Sequence, residues 1–372
     1  MPRIAVVFEF PSLNGGEHSM LAIFDQLNKS EFEFVAIAPP TGRLADAFKE
    51  RNIEHVPLEL RDGNGERLPQ SQAHEQLIAA IAKAGPDIVH ANSLAMGRLT
   101  GAVHDKITQP TIAHLRDIIN LSQSAIDDLN KNDILVAVSH ATRRHHVDQG
   151  LDAERTGVVY NGIDLKQFKP EVQSGVLKDE FGIDPDGFLV LTIGQIALRK
   201  GHDVLAKAAI EVCTELEDVH FLIVGERHSN KPESIDFEAQ IETTFADAGH
   251  ADRLHRVSYC EDVGFLMAEC DLLVHPAKQE PLGRVLLEAA ACELPIIATD
   301  VGGTAEIVTH EDSALLVPPS DSTALRNAIL QAYDEEEERL DFADAARNRV
   351  KMLFSIERAS RALQEVWEAA LS

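Results

Sequence analysis

The sequence predicts an α/β chain of two Rossmann-like domains, each a doubly wound parallel sheet, that face a common cleft. Its 372 residues exceed what one ordinary hydrophobic core accommodates. Short runs rich in Val and Ile alternate with helical patterns, and this rhythm restarts after residue 185. Because these runs lack strict polar alternation, they predict strands buried on both faces of a parallel sheet, with helices as the crossovers.

In the first half, the first strand is followed by a loop that contains glycine and then by a helix from about His18 to Asn28. The strand candidates are residues 3–8, 34–38, 87–91, 111–114, 134–139 and 158–160. A segment with several prolines and glycines, residues 164–187, is the natural junction between the halves. We therefore place the first domain at residues 1–165.

In the second half, the strand candidates are residues 188–193, 219–224, 254–257, 272–275, 296–299 and 315–317. The helices expected between them cover residues 202–215, 235–248, 262–269, 283–292, 303–308 and 322–338. The second domain is then residues 166–353, and residues 354–372 contain a last amphipathic helix.

The formal charge of −27 argues against nucleic acid as a partner, because phosphate binding needs a basic surface. The charge is uneven: residues 1–165 carry 15 Lys and Arg against 22 Asp and Glu, a net of −7, and the rest carries −20. A basic cluster at Arg143, Arg144, His145 and His146 leaves open a weak peripheral membrane contact through the N-terminal domain. A solvated helix face is the simpler interpretation of that cluster.

The cysteines and the hydropathy both favour a cytoplasmic location. The four cysteines are scattered without CxxC spacing, which is typical of small apolar residues in a reducing compartment. Glu9 interrupts the opening apolar run after a few residues, so no signal peptide is expected. No segment reaches the ~20 apolar residues that a membrane span requires.

The two glutamates of the segment 280–288 are the most informative candidates for a binding site. Glu288 lies within an apolar helical run, where an unpaired carboxylate would be costly unless it is hydrogen-bonded, for instance by ribose hydroxyls. Glu280 lies just before that helix, where Gly283 and the following amides point at an anion. Gly302-Gly303 opens another helix and adds further amides. A surface glutamate beside a salt-bridged helical one explains the pair equally well.

The other candidates lie at predicted strand ends, where ligands bind in this architecture. Gly15 and Gly16 follow the first strand and precede a helix, so their backbone can approach a phosphate closely. Arg199 and Lys200 follow the first strand of the second half and suit a diphosphate leaving group. His114 closes a strand of the first half and is expected to face the cleft.

Several motifs are missing from the sequence, and their absence narrows the chemistry. There is no GxGxxG, which disfavours a dinucleotide dehydrogenase. No HxxxH, DxD or paired Cys/His spacing occurs at a strand end, so no metal site is predicted. No GxSxG elbow is present, which removes most hydrolase interpretations.

Taken together, the motifs resemble those of a known family over nearly the whole chain. In the second half they are Gly194…Arg199-Lys-Gly201, Phe221-Leu-Ile-Val-Gly225, the segment 280–288, Pro295-Ile-Ile-Ala-Thr-Asp300 and Val301-Gly-Gly-Thr-Ala-Glu306. In the first half they are Gly15-Gly-Glu17, Val138-Ser139 and Val159-Tyr-Asn-Gly-Ile-Asp164. The chain thus resembles the retaining glycosyltransferases of the GT4 family, which have the GT-B fold. The tail is similar to the closing helix that crosses back onto the first domain in that family.

The resemblance implies a role for each candidate residue. Glu288 would hold the ribose of the donor nucleotide, and Glu280 would contact the hydroxyls of the transferred sugar. Lys200 would bind the diphosphate, and His114 would lie near the reacting sugar. The backbone amides expected to help with the diphosphate are those of Gly15, Gly16, Gly283, Arg284 and Val285.

Two departures from the family pattern stand out. The family commonly has Arg directly after the glycine of its first motif, where this chain has Gln195, and Arg199 is the candidate to supply the missing charge. Glu293 replaces the usual glycine before Leu-Pro, which affects a turn more than the chemistry.

The function implied is retaining transfer of a hexose-type sugar from a UDP-, GDP- or ADP-sugar to a hydroxyl acceptor on a glycan, a lipid-linked molecule or a small molecule. Same-face substitution without a metal is favoured, and no cofactor beyond the donor is expected. An epimerase or phosphorylase on the same fold is one alternative. A non-catalytic nucleotide-sugar-binding protein is another, because Gln195 departs from the pattern.

Overall fold

The computed structural model describes residues 1–27, 31–63 and 65–372, and these form two compact units. The first unit contains residues 1–162 and 354–372, and the second contains residues 163–353. Each unit has one parallel sheet with helices as crossovers, so the predicted pair of Rossmann-like domains is confirmed.

The first unit has a seven-stranded sheet in the order β3-β2-β1-β4-β5-β6-β7. Its strands are β1 (Arg3–Val7), β2 (Glu33–Ala38), β3 (Glu54–Pro57), β4 (Ile88–Ala91), β5 (Thr111–Leu115), β6 (Ile134–Ala137) and β7 (Thr156–Val158). The helices that precede the second unit are α1 (Gly15–Gln26), α2 (Arg43–Glu50), α3 (Gln70–Ala84), α4 (Leu94–Ala102), α5 (Gln123–Leu129) and α6 (His140–Asp148). The strand order reverses between β1 and β4.

The second unit has a six-stranded sheet in the order β10-β9-β8-β11-β12-β13. Its strands are β8 (Phe188–Ile193), β9 (Val219–Val224), β10 (Leu254–Val257), β11 (Leu272–His275), β12 (Ile296–Thr299) and β13 (Leu315–Val317). Its helices are α7 (Val176–Phe181), α8 (His202–Glu215), α9 (Pro232–Asp247), α10 (Val263–Glu269), α11 (Arg284–Ala291), α12 (Thr304–Ile307), α13 (Ser322–Asp334) and α14 (Glu336–Leu353). Here the order reverses between β8 and β11.

The last helix, α15 (Ile356–Leu371), belongs to the first unit. It packs with α1 against the sheet face that carries Ile4, Ile88 and Ile112, and its Trp367 is completely buried. Burying an aromatic side chain of this size is among the largest single contributions to a core. The opposite sheet face is covered by α3 and α4.

Short polar side chains define where several helices begin. Ser93, Ser122, Ser139 and Ser355 each accept a hydrogen bond from a backbone N–H of the first turn of the helix that follows. A side-chain oxygen in this position satisfies one of the donors that a helix start leaves unpaired.

Several parts of the secondary structure differ from the sequence prediction, among them α7, which lies within the predicted junction 164–187, and β7, which was predicted at residues 158–160. Strand β3 was missed, because it is a four-residue edge strand with one buried side chain, Val56, and a proline that only an edge tolerates. The helix predicted over 322–338 is two helices, since Glu335 leaves the helical region and Arg339 donates to the last carbonyls of α13. Helix α1 begins at Gly15 rather than His18, and its predicted end at Asn28 lies outside the described residues.

Two glycines of α4, four residues apart, allow close packing on one side of the helix. A Cβ at Gly97 would lie 2.6 Å from that of Ala113 on β5. A Cβ at Gly101 would lie 1.8 Å from the carbonyl oxygen of Asp128 on α5. Real side chains do not tolerate such distances, so α4 could approach its neighbours this closely only with glycine.

We expect Gly101→Ala to destabilise the first unit by about 1–3 kcal/mol, because α4 and α5 must move apart. Gly157→Ala is the matched control, since a Cβ there has no neighbour within 4 Å, and its effect should stay within about 0.5 kcal/mol. Urea unfolding of the two variants measures the difference. Equal stability of the two would contradict the close packing seen at α4.

Candidate functional site

The principal candidate site lies in the second unit, at the carboxyl ends of β8 and β11. These two strands are hydrogen-bonded neighbours, and the strand order reverses between them. Connections leave such a point in opposite directions, so the backbone opens into a crevice outside the strand ends, where α/β proteins bind ligands. The loop after β8 carries Lys200, and the loop after β11 carries Glu280.

The side chains of Lys200 and His275 both contact the carboxylate of Glu280. Nζ of Lys200 lies 2.5 Å from Oε2 of Glu280, and Nε2 of His275 lies 2.9 Å from the same oxygen. His275 is the last residue of β11, so a position on a strand end was the only signal that could have found it in the sequence. His275 and Glu280 are buried, and Lys200 is largely buried.

The charges of this cluster determine the protonation of its members. Burial would raise the pKa of Glu280, but the Lys200 ammonium and the hydrogen bond from His275 outweigh it and hold that pKa well below its usual range. Burial also lowers the pKa of His275 despite the neighbouring carboxylate, so its ring is neutral at pH 7. A neutral ring that donates from Nε2 has its proton there. Glu280 is therefore an oriented carboxylate of low basicity.

Glu288 is buried on α11, as the apolar run around it predicts. Its Oε1 accepts a hydrogen bond of 2.7 Å from Nε of Arg284, one helical turn earlier. Burial raises the pKa of Glu288, and Arg284 only partly offsets this effect. The alternative of a salt-bridged helical glutamate thus describes the structure, while a carboxylate retains acceptor capacity for further hydroxyls.

Glycines keep the backbone of this site close together. Gly201 has φ +72°, and a Cβ there would lie 1.8 Å from the carbonyl oxygen of Pro276, so the β8 loop touches the β11 loop. The N–H of Gly303 donates to the carbonyl oxygen of Glu280 over 3.0 Å. The amide predicted to serve a ligand at Gly303 instead holds the Glu280 loop in place. Gly283 precedes α11, whose first two residues are Arg284 and Val285.

The substitution at Gln195 is accompanied by a nearby cation. An N–H of the Arg199 guanidinium donates to the side-chain oxygen of Gln195 over 3.2 Å. Arg199 is exposed, whereas its neighbour Lys200 points to Glu280. A positive charge therefore lies at the Gln195 side chain, and compensation by Arg199 stays a prediction.

In the first unit, the candidate glycines follow β1, which is beside the point where the strand order reverses. Gly15 and Gly16 are the first residues of α1, and a Cβ at Gly16 would lie 2.9 Å from Cδ of Arg116. Arg116 donates to the side-chain oxygens of Asn92, over 3.0 Å, and of Asn161, over 2.7 Å. Gly16 is thus required by the packing of Arg116, a reason that the sequence did not reveal.

His114 lies within β5 rather than at its end, because the strand continues to Leu115. It is 2% exposed, and its Nδ1 lies 3.2 Å from Nε2 of His90 and 3.2 Å from Nη2 of Arg116. Nε2 of His114 is buried without a hydrogen-bond partner. The sequence analysis did not single out His90 or Arg116, since neither belongs to a quoted motif.

The basic cluster on α6 is largely occupied by contacts within the first unit. Arg143 donates to the carbonyl oxygens of Thr156 and Ala153, and His145 and His146 contact backbone carbonyls of the loop after β5. In the described part of the chain, no helix is long and apolar enough to cross a membrane. All four cysteines are free thiols.

Comparison with known proteins identifies the family. Residues 175–349 match the model of glycosyl transferases group 1, and residues 13–167 match the model of glycosyltransferase family 4. The lipopolysaccharide core biosynthesis mannosyltransferase LpsB of Rhizobium meliloti (strain 1021) is 30% identical over 246 residues, which are 65% of this chain and 67% of that protein. This chain is a member of the glycosyltransferases. A D-inositol 3-phosphate glycosyltransferase of Pseudarthrobacter chlorophenolicus is 32% identical over 54% of this glycosyltransferase, a match that spans 47% of the relative.

Solved structures show the same GT-B fold. Anabaena Alr3699/HepE in complex with UDP and glucose has a TM-score of 0.87 at 22% identity, covering 99% of this glycosyltransferase and 100% of that chain. A glycosyltransferase of Rickettsia africae has a TM-score of 0.83 at 19% identity over 100% and 99% of the two chains. At such identities the likeness concerns the fold alone.

We expect Lys200→Met to destabilise the second unit by about 3–5 kcal/mol, because it leaves a buried carboxylate without its cation. Glu280→Gln in the same background should recover part of this loss, since the remaining pair is neutral. Urea unfolding of the two single variants and the double variant gives the coupling free energy. Strictly additive effects would contradict an energetic pairing of Lys200 with Glu280.

His202, the first residue of α8, predicts a pH dependence of stability. Its ring is fully buried, and burial, followed by the charges of Arg256 and Lys200, outweighs a hydrogen bond with the backbone of Ala197 and lowers its pKa to about 4. The unfolded chain therefore takes up this proton first, and stability is lost as the pH falls from about 6.5 towards 4, by up to about 1.4 kcal/mol per pH unit. Urea unfolding of His202→Leu at a series of pH values should show a free energy of unfolding that falls less steeply between pH 6.5 and pH 4, by this amount. An unchanged dependence of the free energy of unfolding on pH would refute the assignment.

Proposed function

We propose that this glycosyltransferase moves a hexose-type sugar from a nucleoside-diphosphate sugar to a hydroxyl acceptor, with retention of anomeric configuration. The observation that carries the proposal is the cluster of Lys200, Glu280 and His275 at the carboxyl ends of β8 and β11. It combines a cation for a diphosphate with an anionic carboxylate for sugar hydroxyls, at the position where this fold binds ligands. The second unit would be the donor domain.

The chemistry of the donor supports this assignment. An ammonium has three N–H donors, and Glu280 uses one donor of Lys200, so the same group can bind phosphate oxygens. The amides of Gly283, Arg284 and Val285 begin a helix and favour an anion, and those of Gly15 and Gly16 do so in the first unit. Glu288 would accept hydrogen bonds from the ribose beside its pair with Arg284. Arg199 would add positive charge.

The names of similar proteins support transfer of a sugar from a nucleotide sugar. The HepE structures contain UDP with glucose or UDP-glucose, and LpsB is named a mannosyltransferase. The bound UDP and UDP-glucose of HepE support a nucleotide sugar as the donor, for which UDP, GDP and ADP are the candidate moieties. The acceptor would be a hydroxyl of a glycan, a lipid-linked molecule or a small molecule, bound on the side of the first unit.

We propose same-face substitution as the mechanism. The bond between the anomeric carbon and the diphosphate oxygen breaks, the acceptor oxygen bonds to that carbon on the same face, and the acceptor proton passes to the departing diphosphate. Glu280 is a poor nucleophile, because its ion pair with Lys200 lowers the basicity of its carboxylate. Lys200 and the helix amides would stabilise the charge that develops on the diphosphate, and no metal or further cofactor is invoked.

A donor panel tests the proposal. UDP-, GDP- and ADP-sugars are added to the full chain in a thermal-shift assay, and the sugars of one base should raise the Tm in a concentration-dependent way. At a ligand concentration one hundred times Kd, the free energy of unfolding should increase by about 2.7 kcal/mol. Glu288→Ala should abolish the shift, and Glu280→Ala should lower kcat more than it weakens nucleotide binding. Glu211→Ala is the matched control, because it removes an exposed carboxylate of the same unit.

The outcomes separate the alternatives. Transfer to an acceptor with retention, seen by NMR of the product, supports the proposal. Conversion of the nucleotide sugar itself, or its cleavage by inorganic phosphate, would instead indicate an epimerase or a phosphorylase. Binding without turnover of any donor would indicate a non-catalytic protein, and no shift with any donor at millimolar concentration would refute the donor site.

A further inference from the structure

Three nitrogen-bearing aromatic side chains form a continuous buried row in the first unit. Nε1 of Trp367, on α15, lies 3.1 Å from Nδ1 of His90, on β4. Nε2 of His90 lies 3.2 Å from Nδ1 of His114, on the neighbouring strand β5. The three side chains are at most 2% exposed, so none of these nitrogens exchanges its partner for bulk water.

The row determines which nitrogen of each ring has the proton. The indole N–H of Trp367 can only donate, so Nδ1 of His90 accepts and His90 has its proton on Nε2. That proton can only be donated to Nδ1 of His114, so Nδ1 of His114 is unprotonated and accepts the hydrogen bond. Arg116 places a guanidinium N–H 3.2 Å from the same Nδ1, and a guanidinium likewise only donates. His114 consequently has its proton on Nε2.

Both histidine rings are neutral at pH 7, so each has a single ring proton to place. Burial, followed by the charge of Arg116, lowers the pKa of His90 to about 3. The same two causes hold the pKa of His114 well below its usual value. A protonated His90 would also place an N–H against that of Trp367, which the 3.1 Å contact does not permit.

The row ends in a donor that has no acceptor. Nε2 of His114 is buried and has no hydrogen-bond partner among the described residues, and a buried N–H without a partner is destabilising. His114 lines a small cavity, with room for about one water-sized group, together with Arg116, Asn161 and residues of α1 and α15. The N–H at Nε2 of His114 is fixed by the contacts at Nδ1 on the other side of the ring. It is therefore available to donate a hydrogen bond to an oxygen of a ligand.

We propose that Trp367 and His90 are positioning residues that hold His114 in the tautomer protonated on Nε2, so that it donates a hydrogen bond to a substrate oxygen during glycosyl transfer. This rests on the proposed function only for the identity of the ligand, a sugar or acceptor oxygen. The C-terminal helix then contributes to the reaction through the indole N–H of Trp367 as well as through packing.

The first test needs no substrate. The full chain is labelled with ¹⁵N-histidine, and long-range ¹H–¹⁵N spectra report the tautomer of His90 and His114, which are assigned from the His90→Gln and His114→Gln spectra. Both rings should be protonated on Nε2 in the wild-type chain. Trp367→Phe should change or mix the tautomers of His90, whereas Phe34→Leu, which alters packing on the Trp367 ring, should not. A proton on Nδ1 of His114 in the wild-type chain would overturn the inference.

The second test measures turnover of the nucleotide sugar that stabilises the chain most in the donor panel. Trp367→Phe and His90→Leu should each lower kcat about tenfold with KM changed less than about twofold, because a hydrogen bond to the reacting substrate is misdirected. His90→Gln, whose amide can still accept from Trp367 and donate to His114, should retain most of the activity. Phe34→Leu should keep the wild-type kcat.

The outcomes distinguish this inference from the proposed function. The inference would be overturned if His90→Leu and Trp367→Phe both kept the wild-type kcat, or if His114→Phe did. Either result would show that Nε2 of His114 binds only a buried water. Equal losses in His90→Gln and His90→Leu would do the same, since they would indicate packing alone. If no nucleotide sugar is turned over, the proposed function fails, while the tautomers still decide whether the row of hydrogen bonds exists.

Discussion

A buried carboxylate that requires a cation is the constraint on which the second unit's site depends. Removing the charge of Glu280 from water would cost several kcal/mol, and the structure compensates with Lys200 and His275 on the same oxygen. The pair joins residues that are 80 positions apart in the sequence, and it thereby brings the loop after β8 onto the loop after β11. The hydrogen bond from Gly303 to the Glu280 carbonyl adds the loop after β12. Contacts at the carboxylate and the carbonyl of Glu280 thus hold the loops after β8, β11 and β12 together.

Both units have a buried neutral histidine near the point where the strand order reverses, but its hydrogen-bond partners differ. This histidine is His275 on β11 in the second unit and His114 on β5 in the first unit. In the second unit the histidine donates to a carboxylate. In the first unit it accepts from His90 and Arg116, which leaves its other nitrogen to donate. Neutral rings are useful in both places, because low local dielectric strengthens their hydrogen bonds without the cost of a buried charge.

The ease of predicting an element depended on how much of its sequence signal is local. All six strands of the second unit lie at their predicted positions, since continuous apolar runs between turn residues leave few alternatives. Strand β3 was missed because an edge strand needs only one buried side chain, so its sequence has almost no apolar signal. The break between α13 and α14 was not predicted for another reason. Arg339 donates to the carbonyl oxygens at the end of α13, and the spacing of apolar residues in the sequence does not reveal such a contact.

The sequence by itself determined the two parallel-sheet domains, the strand-end positions of Lys200 and Glu280, and the burial of Glu288 within an apolar helix. These features follow from local hydrophobic patterns and from motif spacing. The tertiary structure alone decided the ion pairs of Glu280 and Glu288, the packing of Arg116 beneath Gly16, and the tautomer of His114. Each of these depends on which atoms of distant residues meet within hydrogen-bond distance. Only folding places Trp367 and His90, 277 residues apart, in contact and so decides which nitrogen is protonated.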